Sequence, residues 1–194
     1  MLIKKNKTYR KTRYVLYKET LIDFKEHFWA FLGSFVGLGI VSFLHFEILS
    51  KYDLTLIIGS FGASCVLIYG AINSPLAQPK NLFLGHIISA CIGVTIYKLI
   101  GTYIWIAAPL AVSLSIIFMQ MAKALHPPGG ATALIAVTGG SSITKLGYMY
   151  VISPVLTGVI ILFLVALLFN NIPHKRQYPH KTTHRFNKKF NYFK

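Results

Sequence analysis

The chain alternates between long apolar runs and short polar breaks. Residues 28–46, 54–72, 82–100, 104–121 and 148–169 are five apolar stretches, each close to the roughly 20 residues that a helix needs to cross a bilayer. A sixth, Gly130 to Thr138, is too short by itself. Lys and Arg crowd the two ends: eight fall in the first 25 residues and seven in the last 20. Basic flanks stay on the cytoplasmic side of a membrane, so two basic ends predict an even number of crossings. With six elements and both termini cytoplasmic, seventeen of the 20 Lys and Arg lie inside, and only Lys51, Lys98 and Lys145 lie outside. The reading is therefore an all-α, polytopic helical membrane protein with a short or broken fifth element.

Composition supports this. Of 194 residues, 54% are hydrophobic and 13% charged, with a mean hydropathy of +0.57. A soluble fold of this size has no interior large enough for that much apolar surface. Residues 1–27 form a basic cytoplasmic segment, residues 28–171 the membrane domain and residues 172–194 a basic cytoplasmic tail. The first apolar run is about as long as a span and has no clear small-x-small cleavage site, so it is read as a retained helix rather than a signal peptide. The carboxylates are Glu19, Asp23, Glu26, Glu47 and Asp53, and none follows in the 141 residues from Leu54 to Lys194. That excludes from the membrane core carboxylate pairs, carboxylate-held Mg²⁺ or Ca²⁺ and a Ser-His-Asp triad. Cys65 and Cys91 lie in apolar runs and read as buried small hydrophobes. His174, His180 and His184 are too widely spaced for a metal site. No enzyme, metal or cofactor is expected.

Phe61 to Leu67 reads FGASCVL and Gly129 to Ile135 reads GGATALI, two small-Ala-hydroxyl segments, each between long spans. The chain thus parses into repeat 1, about 28–100, and repeat 2, about 104–169. Three elements per repeat put the second copy in the opposite sense, a 3+3 inverted repeat of the transporter kind. The second element of each repeat is predicted to be short or broken. In repeat 1, Ser60 is a good N-cap; in repeat 2, Pro127 and Pro128 break the chain, and a short helix starts near Gly129 or Gly130. Two such N-termini converging near the midplane would offer N–H groups and partial positive charge to a small anion. The candidate binding residues are Ser60, Gly62, Ala63 and Ser64 with His126, Gly129, Gly130 and Thr132. The alternative is that these small residues only let helices pack closely.

At these residues the sequence resembles the HPP family of integral membrane proteins. The resemblance rests on HPPGGATAL from His126, FGASCVL from Phe61, SPLAQPKN from Ser74 and GHIISA from Gly85, and runs to the helix ending at Phe169, Asn170 and Asn171. It covers about residues 28–171 and omits both basic ends. Lys80 stands where Arg is common in the family, and Cys65 where another small residue is common. Some relatives in plastids and cyanobacteria are linked to nitrite transport, so the resemblance implies a small-anion carrier or channel without fixing nitrite.

His126 would sit beside the second helix start, donate to an anion and, with an unperturbed pKa near 6.5, couple binding to protons; the alternative is a structural histidine at the Pro-Pro break. Lys123 would face the cytoplasmic mouth or simply snorkel. Ser113, Gln120 and Lys123 share a helix face that lines a path or bonds a neighbour. His86 is an ionisable group within a span. Gly85, Ser89 and Gly93 read as packing, and so do Gly33 and Gly37. Asn73 and Gln78 lie in a polar segment that lines the path or forms a plain loop. Arg185, Phe186, Lys188, Lys189, Phe190, Tyr192 and Phe193 favour anionic lipid over nucleic acid. The expected partners are a small anion and the bilayer of the cytoplasmic (inner) membrane, with a homo-oligomer left open. A non-transporting scaffold or assembly subunit is the rival. Cation transport is disfavoured because a buried cation would lack a counter-charge.

Overall fold

The structure, a computed structural model, describes residues 24–52 and 54–180. The described residues contain helices and no strand. Helix α1, Phe24–Phe43, continues through a π-helical turn, Leu44–Ile48, and a 3-10 turn, Leu49–Tyr52. Residues 54–58 are not helical, and Ile58 is extended at φ −133° and ψ 147°. Helix α2, Gly59–Cys65, follows and ends in the π turn Val66–Gly70. A short turn, Pro75–Ala77, is capped by Ser74, whose hydroxyl accepts from the Leu76 amide. Helix α3, Pro79–Ile100, begins on Pro79, whose missing N–H costs nothing at the first helical position. Helix α4, Ile104–Met121, is followed by α5, Pro127–Thr138, and the short α6, Ser141–Thr144. The last span runs through the turn Val151–Leu156 into α7, Thr157–Phe169.

Four helical stretches are long and apolar enough to cross a membrane: 24–52, 79–100, 104–121 and 151–169. The apolar helix Gly59–Gly70 and the 12-residue α5 are shorter. Three expected boundaries are corrected. Ile58 rather than Ser60 holds the N-cap position of α2, because the extended stretch ends at Ile58 and the helix begins at Gly59, two residues earlier than a cap at Ser60 would allow. Helix α5 starts at Pro127, since both prolines fit its first turn and the break falls at extended His126, φ −138°. The run 148–169 is interrupted at Ser153, which is extended (φ −133°, ψ 123°) as the residue before Pro154.

Helix α3 is the central element and packs against α4, α5 and the closing span. One core cluster joins Leu56 before α2, Phe61 on α2, Ile68 and Tyr69 in the π turn after it, Leu82 on α3, Tyr150 before the closing span and Leu162 on α7. A second joins Ile96, Ala107, Ala111, Ala133 and Val137 between α3, α4 and α5. The outer faces carry Phe31, Phe35, Trp105, Phe118, Leu164 and Leu168 exposed, an apolar exterior that a bilayer covers. Close approach is set by glycine, Gly93 and Gly33 among others. A Cβ on Gly93 would stand 2.7 Å from Ala133 O, and one on Gly33 would stand 2.7 Å from Tyr69 Cδ1.

Past α7 the chain folds back onto the bundle. Arg176 is buried and donates to Tyr69 O at 2.6 Å, Asn170 Oδ1 at 2.8 Å, Glu26 O at 3.2 Å and Glu26 Oε2 at 3.0 Å. Burial pulls the guanidinium below its ordinary value, and Glu26 pulls it back up. Tyr178 donates to Ala77 O at 2.7 Å. The segment from 172 to 180 is thus a strap on the helix ends. Residues 1–23 and 181–194 lie outside the described residues, and with them most of the expected lipid-binding basic side chains.

Candidate functional site

Four segments bring polar side chains to one buried point. The motif on α2 supplies Ser60 and Ser64, the turn after it supplies Leu76 O, α3 supplies His86, and α5 with its preceding residue supplies Thr132 and His126. Ser60, Ser64, His86, His126 and Thr132 are all fully buried. Ser64 Oγ bridges the two rings, 2.7 Å from His86 Nε2 and 3.1 Å from His126 Nε2. His86 Nδ1 lies 2.7 Å from Thr132 Oγ1, which lies 2.9 Å from Ser60 Oγ and 3.3 Å from Pro128 O. His126 Nδ1 donates to Leu76 O at 2.8 Å. The ring centroids are 5.0 Å apart, and the edge of Phe61 closes over His86 at 6.0 Å.

The backbone contact fixes the direction of this chain of hydrogen bonds. A carbonyl only accepts, so His126 carries its proton on Nδ1, and in the neutral ring Nε2 accepts. Thr132 donates to Ser60, so its oxygen accepts from His86 Nδ1 and a neutral His86 also carries only a lone pair on Nε2. Ser64, with one proton, then faces two Nε2 acceptors. Buried polar groups require partners, and this chain gains its last one only with a further proton on an Nε2 atom.

The scaffold holds the parts tightly. A Cβ on Gly85 would run into His126 Cβ, and one on Gly129 would stand 2.7 Å from Gly85 O and 2.8 Å from Ser89 Oγ. Asn81 Nδ2 donates to Leu125 O at 2.7 Å, fixing the residue before His126. Gln78 donates to Ile72 O and Ser74 O, both at 2.9 Å, and accepts from the His180 amide at 2.8 Å, so it shapes the turn and ties it to the strap.

The other predicted residues lie elsewhere. Gly62 and Ala63 are exposed on the far side of α2, and Gly129 and Gly130 are packing positions of α5, with Gly130 facing Val112. Asn73, Gln120 and Lys123 are exposed. Lys123 ends α4: its φ is 51°, its amide donates to Gln120 O at 2.9 Å and that of Ala124 to Met119 O at 2.9 Å, a Schellman closure. The two short helices do not meet end to end. Ser60 pairs with Thr132 and Ser64 with His126, so α2 and α5 lie side by side and antiparallel, each N-terminus beside the second turn of the other. Tyr150 went unread in the sequence; it is fully buried, and its hydroxyl donates to Thr132 O at 3.0 Å. No group of three or more His, Cys, Asp or Glu that could hold a metal occurs among the described residues.

The family model described as "HPP, transmembrane region" matches residues 19–179. Two proteins of Dictyostelium discoideum, each described only as a transmembrane protein, are similar: one is 44% identical over 161 residues and the other 42% over 160, each covering 81% of the chain. The chain spans about half the length of these curated relatives, 51% and 56%. No solved structure matches it.

Proposed function

The chain belongs to the HPP family of integral membrane proteins, and from that premise we propose that it is a transporter or channel for a small inorganic anion, with nitrite the first candidate. One observation carries the reading: two imidazoles and three hydroxyls meet, fully buried, in a membrane domain with no carboxylate after Asp53. Such a centre has hydroxyl and imidazole groups to meet an anion and no negative charge to neutralise a cation. Ser64 Oγ, between the two Nε2 atoms, occupies the position an anion oxygen would take. Withdrawal of Ser64 on α2 would admit the anion to His86 and His126. The donors are then side chains rather than two facing helix ends.

The antiparallel α2 and α5, each short and each preceded by a non-helical stretch, support six elements arranged as a 3+3 inverted repeat with both termini on the cytoplasmic side of the inner membrane. The protein does no covalent chemistry in this reading, and its partners are the anion and the bilayer.

Uptake of nitrite into liposomes holding the purified protein tests it, with nitrate, chloride and formate as competitors and empty liposomes subtracted, since nitrous acid itself crosses lipid. Saturable uptake that His126→Ala removes is the expected result. No flux above empty liposomes from folded protein would reject the reading. A specific observation favours a second one, a scaffold: a groove of about 760 Å³ opens between α1 and α2, lined by Ala30, Ser34, Gly39, Gly62, Cys65 and Gly70 among others. Stable copurification with one other membrane protein, without flux, would support it.

A further inference from the structure

The hydrogen-bond chain is one proton short of complete while both rings are neutral. Thr132 donates to Ser60, His86 Nδ1 donates to Thr132 Oγ1 and His126 Nδ1 donates to Leu76 O. Both Nε2 atoms then present lone pairs to Ser64 Oγ, which has one proton to give. One proton taken up on His86 Nε2 completes the chain: His86 Nε2 donates to Ser64 and Ser64 to His126 Nε2, with no heavy atom moved.

What the protonated arrangement lacks is a counter-charge. The other ionisable side chains on the elements packed around the pair are Cys65 on α2, Tyr69 in the π turn after it, Tyr150 before the closing span, and Lys80, Cys91, Tyr97 and Lys98 on α3 itself. Tyr69 and Tyr150 donate to Leu162 O and Thr132 O, and Lys80 and Lys98 are exposed. None is a carboxylate. A lone buried imidazolium is therefore unfavourable, and so is a lone buried anion beside neutral rings; together they neutralise one another. Resting on the proposed anion site, we propose that the His86–Ser64–His126 centre binds one proton with each monovalent anion, so that the protein moves the two together without net charge.

The balance is one H⁺ and one A⁻ bound on one side, His86 held as imidazolium beside A⁻, and both released on the other with His86 neutral. No bond other than N–H is made or broken.

The test uses the full-length protein in liposomes containing a pH-sensitive dye, with K⁺ and valinomycin to impose a membrane potential. A nitrite gradient is applied, and empty liposomes are subtracted. Acidification of the lumen at one proton per nitrite, with a rate that neither sign of potential changes, is the expected result. Nitrite flux that follows the potential and moves no protons would overturn the inference while leaving the anion transporter intact. No protein-dependent nitrite flux would take down both. His86→Gln keeps hydrogen-bonding groups but cannot hold the proton. Proton movement with nitrite in that variant, at the wild-type ratio, would also overturn the inference; its loss supports it. The wild-type voltage test stands whether or not the variant folds.

Discussion

At the scale of single residues, the site is defined by short contacts that small changes would break. Gly85→Ala would drive a methyl into His126 Cβ; overpacking of this kind costs about 1–3 kcal/mol. Uptake should fall with it, and a melting temperature measured in detergent should drop; an unchanged melting temperature would show that His126 has room to move. Lys123 separates two explanations. Its left-handed backbone costs a non-glycine residue roughly 1–2 kcal/mol, so Lys123→Gly should raise stability by about that amount and leave uptake unchanged. Lost uptake in a more stable variant would assign its charge a part in conduction. Much of this was legible in the sequence, because a histidine or hydroxyl inside an apolar run stands out: His86, Ser64, His126 and Thr132 all did. Their pairing was not. Ser64 and His126 are 62 positions apart, and Thr132 and Ser60 are 72 apart, separations that hydrophobic periodicity does not address.

At the scale of elements, α3 and α5 are held close by glycines, and the turns are held by side-chain amides. Asn81→Ala would leave Leu125 O without its donor, a loss of about 1–3 kcal/mol. It should loosen the break before α5, visible as faster amide exchange at 124–126 and lower uptake. Protection equal to wild type there would show that Asn81 is dispensable. The four motifs behind the family resemblance are the walls of one network, since Ser64, Leu76, His86 and His126 come one from each. Element boundaries were harder to read. The run 148–169 is apolar throughout, which hides the break at Ser153 before Pro154. The start of α2 was misplaced because a serine that looks like a cap is instead a partner of Thr132.

At the scale of the whole molecule, the strap joins distant ends. Arg176 links the start of α1, the end of the α2 segment and the end of α7. Nothing in the sequence pattern separated it from the other basic residues of the tail, for charge density marks a side of the membrane and not a partner. Arg176→Ala leaves Tyr69 O and Asn170 Oδ1 without that donor, and should destabilise by about 1–3 kcal/mol for each group that water cannot reach. Thermal unfolding in detergent would check it; a shift within error would mean the strap is not a structural tie. Tyr178 bonds the carbonyl next to Leu76, so the same variant should also slow uptake. Reporter fusions at both termini should report the same, cytoplasmic side.

The central claim is that an anion crosses at the His86–Ser64–His126 centre. The initial rate of nitrite uptake, measured side by side for wild type, Ser64→Ala, His86→Gln and His126→Ala in liposomes of equal protein content, tests it most directly. The account predicts saturable wild-type uptake and a fall of roughly tenfold or more in each histidine variant, the scale of one lost charge-assisted hydrogen bond. Ser64→Ala, which removes only the bridge, should change the apparent affinity. Equal saturable rates in all four folded proteins would contradict it.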